Sequence, residues 1–228
     1  MAQSYGAVAD RIRRAILLGT YVPGDRLPPE RLLADELGVA RATLREALRL
    51  LEGEGRLQSR RGAAGGSVIL DRPPTTDARD FTPERLAEFD DLLDFRLAME
   101  CAAARLAAGR RTEVDLAALA AILDGMRRHS TMALFRRADA SFHLRIACAA
   151  RNPLLRQAVE DGRVAMFLPL DLLDFEVMLA CALDGHRKIL AAIAAADAPA
   201  AERAMAAHIE DTRRELHLVT TFAADAVV

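Results

Sequence analysis

From Pro83 to the C-terminus the chain has no run of alternating apolar and polar residues, the mark of a half-buried strand. Helix start and stop signals divide it instead. Thr82 offers a cap and Pro83 takes the first helical position. This predicts a helix over 83–108 that ends at Gly109. Thr112 opens a helix over 113–129, with Asp115 placed as its capping-box partner. A helix over 132–150 begins after Ser130 and stops at "RNP" (151–153). Further helices follow at 153–168, 184–196 and 199–221, the last capped by Asp197, while 169–183 reads as loop, short helix or both. Hydrophobic residues are 52% of the chain, aromatics only 4%, and Trp is absent, so the core is aliphatic. The expected fold of 83–228 is an all-α bundle with room for an internal cavity.

The front of the chain reads differently. Val8, Ile12 and Ile16 recur at i, i+4, i+8, one face of a first helix that ends near Gly19. "VPGDRLPP" (22–29) breaks the chain with three prolines and a glycine. A short second helix starts at Pro29–Glu30, turns tightly at Gly38, and is followed by a third from Arg41 to about Glu52. Leu33, Leu37, Val39, Leu44 and Leu48 supply a small core. "GRLQSR" and "SVIL" read as two short strands joined by "RGAAGG" (61–66), with Arg60 and Arg61 at the base of the tip. This order is a helix-turn-helix with a hairpin wing, in which the third helix would lie in the DNA major groove. Arg41 and Arg45 share a face with Thr43 close by, and arginine can make two hydrogen bonds to one guanine. Arg31 sits in the first turn of the preceding helix.

Charge supports a division of labour. Residues 1–70 hold 11 arginines against 8 acidic residues, +3, whereas 71–228 hold 20 basic against 25 acidic residues, −5. "DRPPTTDARDF" (71–81) reads as a linker, spanning about 71–82 between the two parts. The odd, widely spaced Cys101, Cys148 and Cys181 read as small buried residues of a reducing compartment. With no signal peptide and no uncharged run near the ~20 residues of a membrane span, a cytoplasmic location and no membrane partner are expected.

"RLPPERLLADELGVARATLREALRLLEGEGRL" resembles the winged helix-turn-helix of the GntR family of bacterial transcription regulators, over about residues 8–70. The resemblance implies contacts to double-stranded operator DNA by Arg31, Arg41, Thr43, Arg45 and the wing residues Arg61, Gly62, Gly65 and Gly66. Ala40 departs from it: the family usually has Ser or Thr there, whose hydroxyl caps the helix or meets a phosphate.

Asp139 and His143, in "DASFH", lie one turn apart on one helix face. Alone they read equally as a metal-binding pair, a polar pair or a solvated surface. His186 and His208 stand about ten residues to either side of the centre of "AADAPA" (195–200), which places them level across a helical hairpin. Three imidazoles and a carboxylate suit Zn²⁺, Ni²⁺ or Mn²⁺. Satisfied polar core residues are the competing reading.

"DASFHLRIACAARNPLL", "GHRKILAAI" and "AMAAHI" are similar to the FCD effector domain of the FadR-type subgroup, over about 83–220. That likeness implies a divalent metal, zinc foremost, held by Asp139, His143, His186 and His208. It leaves His129 and His217 as surface or helix-end residues. It further implies a small carboxylate effector completing the coordination, with Arg96 as a contact, or else simply paired with Glu100. Asn152 would line the pocket or only end a helix, and Arg145 would face cavity or solvent. Leu168, Leu172, Leu173, Phe175 and Leu179 would form an apolar wall. The expected function is a homodimeric, effector-responsive regulator acting as a repressor. The alternatives are a metal-responsive regulator and an all-α metalloenzyme; catalysis is not expected.

Overall fold

Ser4 starts the first helix: its hydroxyl accepts from the Ala7 amide at 3.2 Å and caps α1 (Tyr5–Leu17). The computed structural model describes residues 4–60, 66–70, 83–128, 131–166 and 175–225. Contacts divide the chain into two compact units, Met1–Thr75 and Thr76–Val228.

In the first unit α2 (Glu30–Leu37) ends on Gly38, whose φ of 70° is the left-handed conformation glycine adopts without a Cβ penalty. Arg11 on α1 donates to the Leu37 carbonyl at 2.8 Å, satisfying one acceptor left over at that helix end. α3 (Arg41–Gly53) follows, then an antiparallel hairpin of β1 (Leu57–Arg60) and β2 (Gly66–Ile69), with Leu57 opposite Ile69 and Arg60 opposite Gly66. A feature not foreseen is a third edge on this hairpin. Arg26 bridges to Val68, Leu27 donates to the Ser67 carbonyl at 2.9 Å, and Gly24 to the Ile69 carbonyl at 3.0 Å. The core gathers Val8 and Ile12 with Leu33, Leu44, Leu51 and Leu57, while Leu37 and Val39 are only partly buried against it.

The second unit comprises α4 (Pro83–Arg110), α5 (Glu113–Met126), α6 (Met132–Ala149), α7 (Pro153–Ala165), α8 (Phe175–Ala194) and α9 (Ala198–Asp225). The Thr112–Asp115 capping box forms in full, and Asp197 accepts from the Ala200 amide at 2.9 Å. The core is aliphatic and alanine-rich around Phe142, Leu119, Ile146, Ile189 and Ile209.

Several boundaries differ from expectation. α4 runs through Gly109, where a Cβ would meet nothing and an exposed glycine costs only about 1 kcal/mol. α5 stops at Met126, just past Gly125. Thr131 rather than Ser130 precedes and caps α6, and Ser130 lies outside the described residues. α8 begins nine residues before 184, because Met178, Leu179, Ala182 and Leu183 bury one helical face. Cys101 and Cys148 are half-buried, Cys101 packing against the core, whereas Cys181 is exposed, so the expectation of buried cysteines fails for Cys181 and holds only in part for the other two. The linker 71–82, His129, and the wall residues Leu168, Leu172 and Leu173 lie outside the described residues. No helix among the described residues is long and apolar enough to cross a membrane.

Candidate metal centre and nucleic-acid interface

The short connection between α8 and α9 makes them antiparallel neighbours and brings His186 level with His208, ring centroids 4.6 Å apart. α6 adds Asp139 and His143 from one face. One ligand atom from each of the four lies within 4.8 Å of the others, with all three histidines buried and Asp139 half-buried. His186 Nε2 is 3.2 Å from His143 Nε2 and 3.3 Å from Asp139 Oδ1, and His143 Nε2 is 3.7 Å from Asp139 Oδ1. Ligand atoms about 2.0–2.1 Å from one ion stand roughly 2.9 Å apart at right angles and about 3.4 Å apart in a tetrahedron. The 3.2 and 3.3 Å separations fall within those edges and the 3.7 Å one just beyond them, so the four groups would need only to draw together slightly to share one ion.

The electrostatics favour the ligating form. Burial, then the neighbouring histidines and arginines, hold His186 and His208 well below the ordinary imidazole range, so both stay neutral and keep a lone pair. The ring of His186 stacks on Phe142, centroids 4.3 Å apart, and its buried Nδ1 has no hydrogen-bond partner among the described residues. His208 lies so close to α8 that a Cβ on Gly185 would stand 2.7 Å from its Nδ1.

Behind the cluster, His143 Nδ1 lies in contact with Glu100 Oε2, off the hydrogen-bond axis. Glu100 Oε1 accepts from Arg96 Nε at 2.6 Å. Burial alone would raise the Glu100 carboxyl; Arg96 foremost, then His143, outweigh it and hold it well below the usual range. Glu100 stands where an outer carboxylate partner of a metal-bound histidine would stand.

Arg96 does two things at once. It pairs with Glu100 and it lines a cavity, where it is 1% exposed and its Nη2 has no hydrogen-bond partner among the described residues. Arg163, on α7, was not singled out from the sequence. It also lines the cavity and pairs with Asp139. Burial, then the like charge of Arg96, lowers its guanidinium to about 9.

Two expected effector contacts go elsewhere. Asn152 caps α7, its Oδ1 accepting from the Leu154 and Leu155 amides at 3.1 and 3.2 Å. Arg145 pairs with Asp115 at 3.0 Å, as does Arg151 at 2.5 Å. Neither Asn152 nor Arg145 lines the cavity. His217 is exposed and meets Asp90 at 3.1 Å.

In the first unit, Arg41 and Arg45 fall in the first turns of α3 and Arg31 in the first turn of α2. Arg41 and Arg45 are exposed and Thr43 is half-buried. Arg45 donates to Glu30 at 2.7 Å, and the exposed Arg31 is 3.7 Å from Asp35. Ala40 precedes α3 with no side-chain cap, in line with its departure from the family pattern. Gly66 opens β2 at φ 128°, whereas Arg61, Gly62 and Gly65 lie outside the described residues.

Two family models match the chain: "Bacterial regulatory proteins, gntR family" over residues 4–65 and "FCD domain" over 91–211. The chain belongs to the GntR family. This GntR regulator is 34% identical to the Uxu operon transcriptional regulator of Escherichia coli K12, over 93% of this chain and 86% of that protein. It is 33% identical to the Exu regulon transcriptional regulator of the same organism, over 92% and 83%. The solved structure of E. coli McbR/YncC covers 97% of it and 99% of that chain with a TM-score of 0.60, at 21% identity a likeness of fold alone. The relatives are named as transcription regulators, and on that ground the water-activating metalloenzyme is set aside.

Proposed function

We propose that this GntR regulator is a repressor that binds operator DNA as a homodimer and senses a small organic acid at a divalent metal, zinc foremost, in its FCD domain. The observation that carries the reading is Arg96: a guanidinium 1% exposed, with one nitrogen lacking a partner among the described residues, facing a cavity that Asp139 and His208 also line. A buried unpaired cationic donor is costly unless an anion reaches it. Asp139, His143, His186 and His208 would hold the ion. When bound, it supplies open coordination positions for a carboxylate oxygen. Arg96 binds and orients that carboxylate, Glu100 fixes the plane of His143, and Phe142 keeps water from one face of His186.

At the DNA, Arg41 and Arg45 supply base contacts and Arg31 a phosphate or groove contact. Arg45 leaves Glu30 first, at little cost, since an exposed ion pair is worth only about 0–1 kcal/mol. Effector binding lowers operator affinity by changing how the two winged units are presented.

The test begins with operator sequences selected from random DNA by the zinc-loaded protein. Fluorescence anisotropy at fixed ionic strength then follows operator affinity while small acids are titrated. Weakened binding with at least one acid is expected; no response to any carboxylate refutes the effector reading. The ion pair of Arg163 with Asp139 favours a second reading, in which the metal itself is the signal, because ligation would break that pair. Operator affinities of metal-free and zinc-loaded protein, without acid, separate the two.

A further inference from the structure

The cavity beside the four-residue cluster has two ends of opposite chemistry. At one end stand Arg96 and Arg163, next to Asp139 and His208. The other end is set by α9. Of its residues, His208, Asp211, Thr212 and Glu215 line the cavity, at i, i+3, i+4 and i+7, one face of the helix. With a rise of about 1.5 Å per residue, Glu215 lies about 10 Å along the axis from His208. The far end therefore carries two carboxylates and a hydroxyl. Asp211 is paired with Arg214, and Glu215 accepts from the Cys181 thiol across the mouth. Phe135, Met178 and Ala182 add apolar wall to the same cavity.

We propose that the effector is an acid of about six carbons whose far end donates hydrogen bonds, through hydroxyl or ammonium groups. This rests on the effector reading above and narrows it. The carboxylate belongs at the arginine end, where Arg96 has a donor to spare. A second carboxylate at the far end would face Asp211 and Glu215, like against like in a partly enclosed site. An alkyl end would strip water from those oxygens and return no donor, and sites built around polar groups reject ligands that leave them unpaired. Length fits as well. Five carbon–carbon bonds of about 1.5 Å in zigzag, plus a hydrogen bond of about 2.8 Å, cover most of the span.

Four probes of equal chain length isolate the far end: hexanoate, adipate, 6-hydroxyhexanoate and 6-aminohexanoate. Calorimetric titration of each into the zinc-loaded full chain gives four dissociation constants. At least one donor-bearing acid is expected to bind tenfold or more tighter than both hexanoate and adipate, and the comparison of the two donors tells hydroxyl from ammonium. Glu215→Gln should cut that preference over adipate to threefold or less, with zinc content and helical circular dichroism retained. Should Glu215→Gln not fold, Asp211→Asn takes its place, with the same fall expected. Hexanoate or adipate binding as tightly as both donors overturns the proposal, as does a preference unchanged in the variant. Indiscriminate binding sinks only the donor rule. If none of the four binds, the carboxylate reading fails and takes this one with it.

Discussion

Gly185→Ala separates metal ligation from folding. A Cβ at position 185 would stand 2.7 Å from Nδ1 of His208 and 3.2 and 3.3 Å from its Cγ and Cβ. Ordinary contact begins near 3.4 Å, so the ring must retreat by about 0.7 Å. Metal–ligand distances are held to about ±0.2 Å, and the retreat is some three times that tolerance. Misplacing a metal-bound histidine through its supports typically costs 10–100-fold in affinity, about 1.4–2.8 kcal/mol. Metal-free stability should move little. Alanine gains about 1 kcal/mol over glycine in a helix, and overpacking takes back about 1–3 kcal/mol. Competition with a chromophoric chelator measures the zinc constant, and urea unfolding of the metal-free protein measures the fold. Gly109→Ala is the control: its Cβ meets nothing, so it should leave zinc binding unchanged. Zinc binding by Gly185→Ala equal to that of the native chain would refute the reasoning.

Other perturbations have equally definite outcomes. His186→Ala should lose most bound metal, read by elemental analysis, while the first unit keeps at least part of its DNA binding. Arg41→Ala should cost about 1–3 kcal/mol of operator affinity and relax specificity at one base pair, read by anisotropy against single-base variants. Asp115→Asn should destabilise the second unit by about 1–3 kcal/mol at pH 7, because it replaces one acceptor oxygen with a donor and removes the charge facing Arg145 and Arg151. Burial raises the Asp115 carboxyl, but Thr112, then Arg151 and Arg145, bring it below its ordinary value. A depressed folded value means stability that is present above the ordinary carboxylate pKa of about 4 and lost as pH falls through the folded value. The gap between native chain and Asp115→Asn should therefore narrow in urea titrations below about pH 4; a gap that widens there contradicts the assignment.

Local signals in the sequence proved the most legible. Thr112 with Asp115, Asp197, and the Gly38 turn each act within one helical turn, where spacing and residue type suffice. The levelling of His186 with His208 was readable for the same reason: a three-residue connection leaves a hairpin no other register. What could not be read depends on how helices cross. Nothing in the spacing of Arg163 says that α7 turns it toward Asp139 on α6. Arg145 has the same charge and a similar setting, yet it reaches Asp115 on α5. Glu100 was visible as an i+4 partner of Arg96, but its reach to His143 requires α4 against α6. Asn152 takes one of its two expected tasks, capping α7 through its oxygen, and is not among the residues that line the cavity.

The charges nearest the four candidate ligands offset one another. Arg96 and Arg163 are balanced by Glu100 and Asp139, and histidine ligates in its neutral form. A divalent ion entering this set would add two positive charges beside it, with Asp211 and Glu215 the remaining carboxylates in the cavity lining. On the proposed reading, an organic anion would restore neutrality without unmaking the ligands. Metal and acid would then bind as one coupled system, and by reciprocity an acid favoured by the loaded site would tighten its hold on the ion. A cell short of zinc would on this account lose its response to the acid as well.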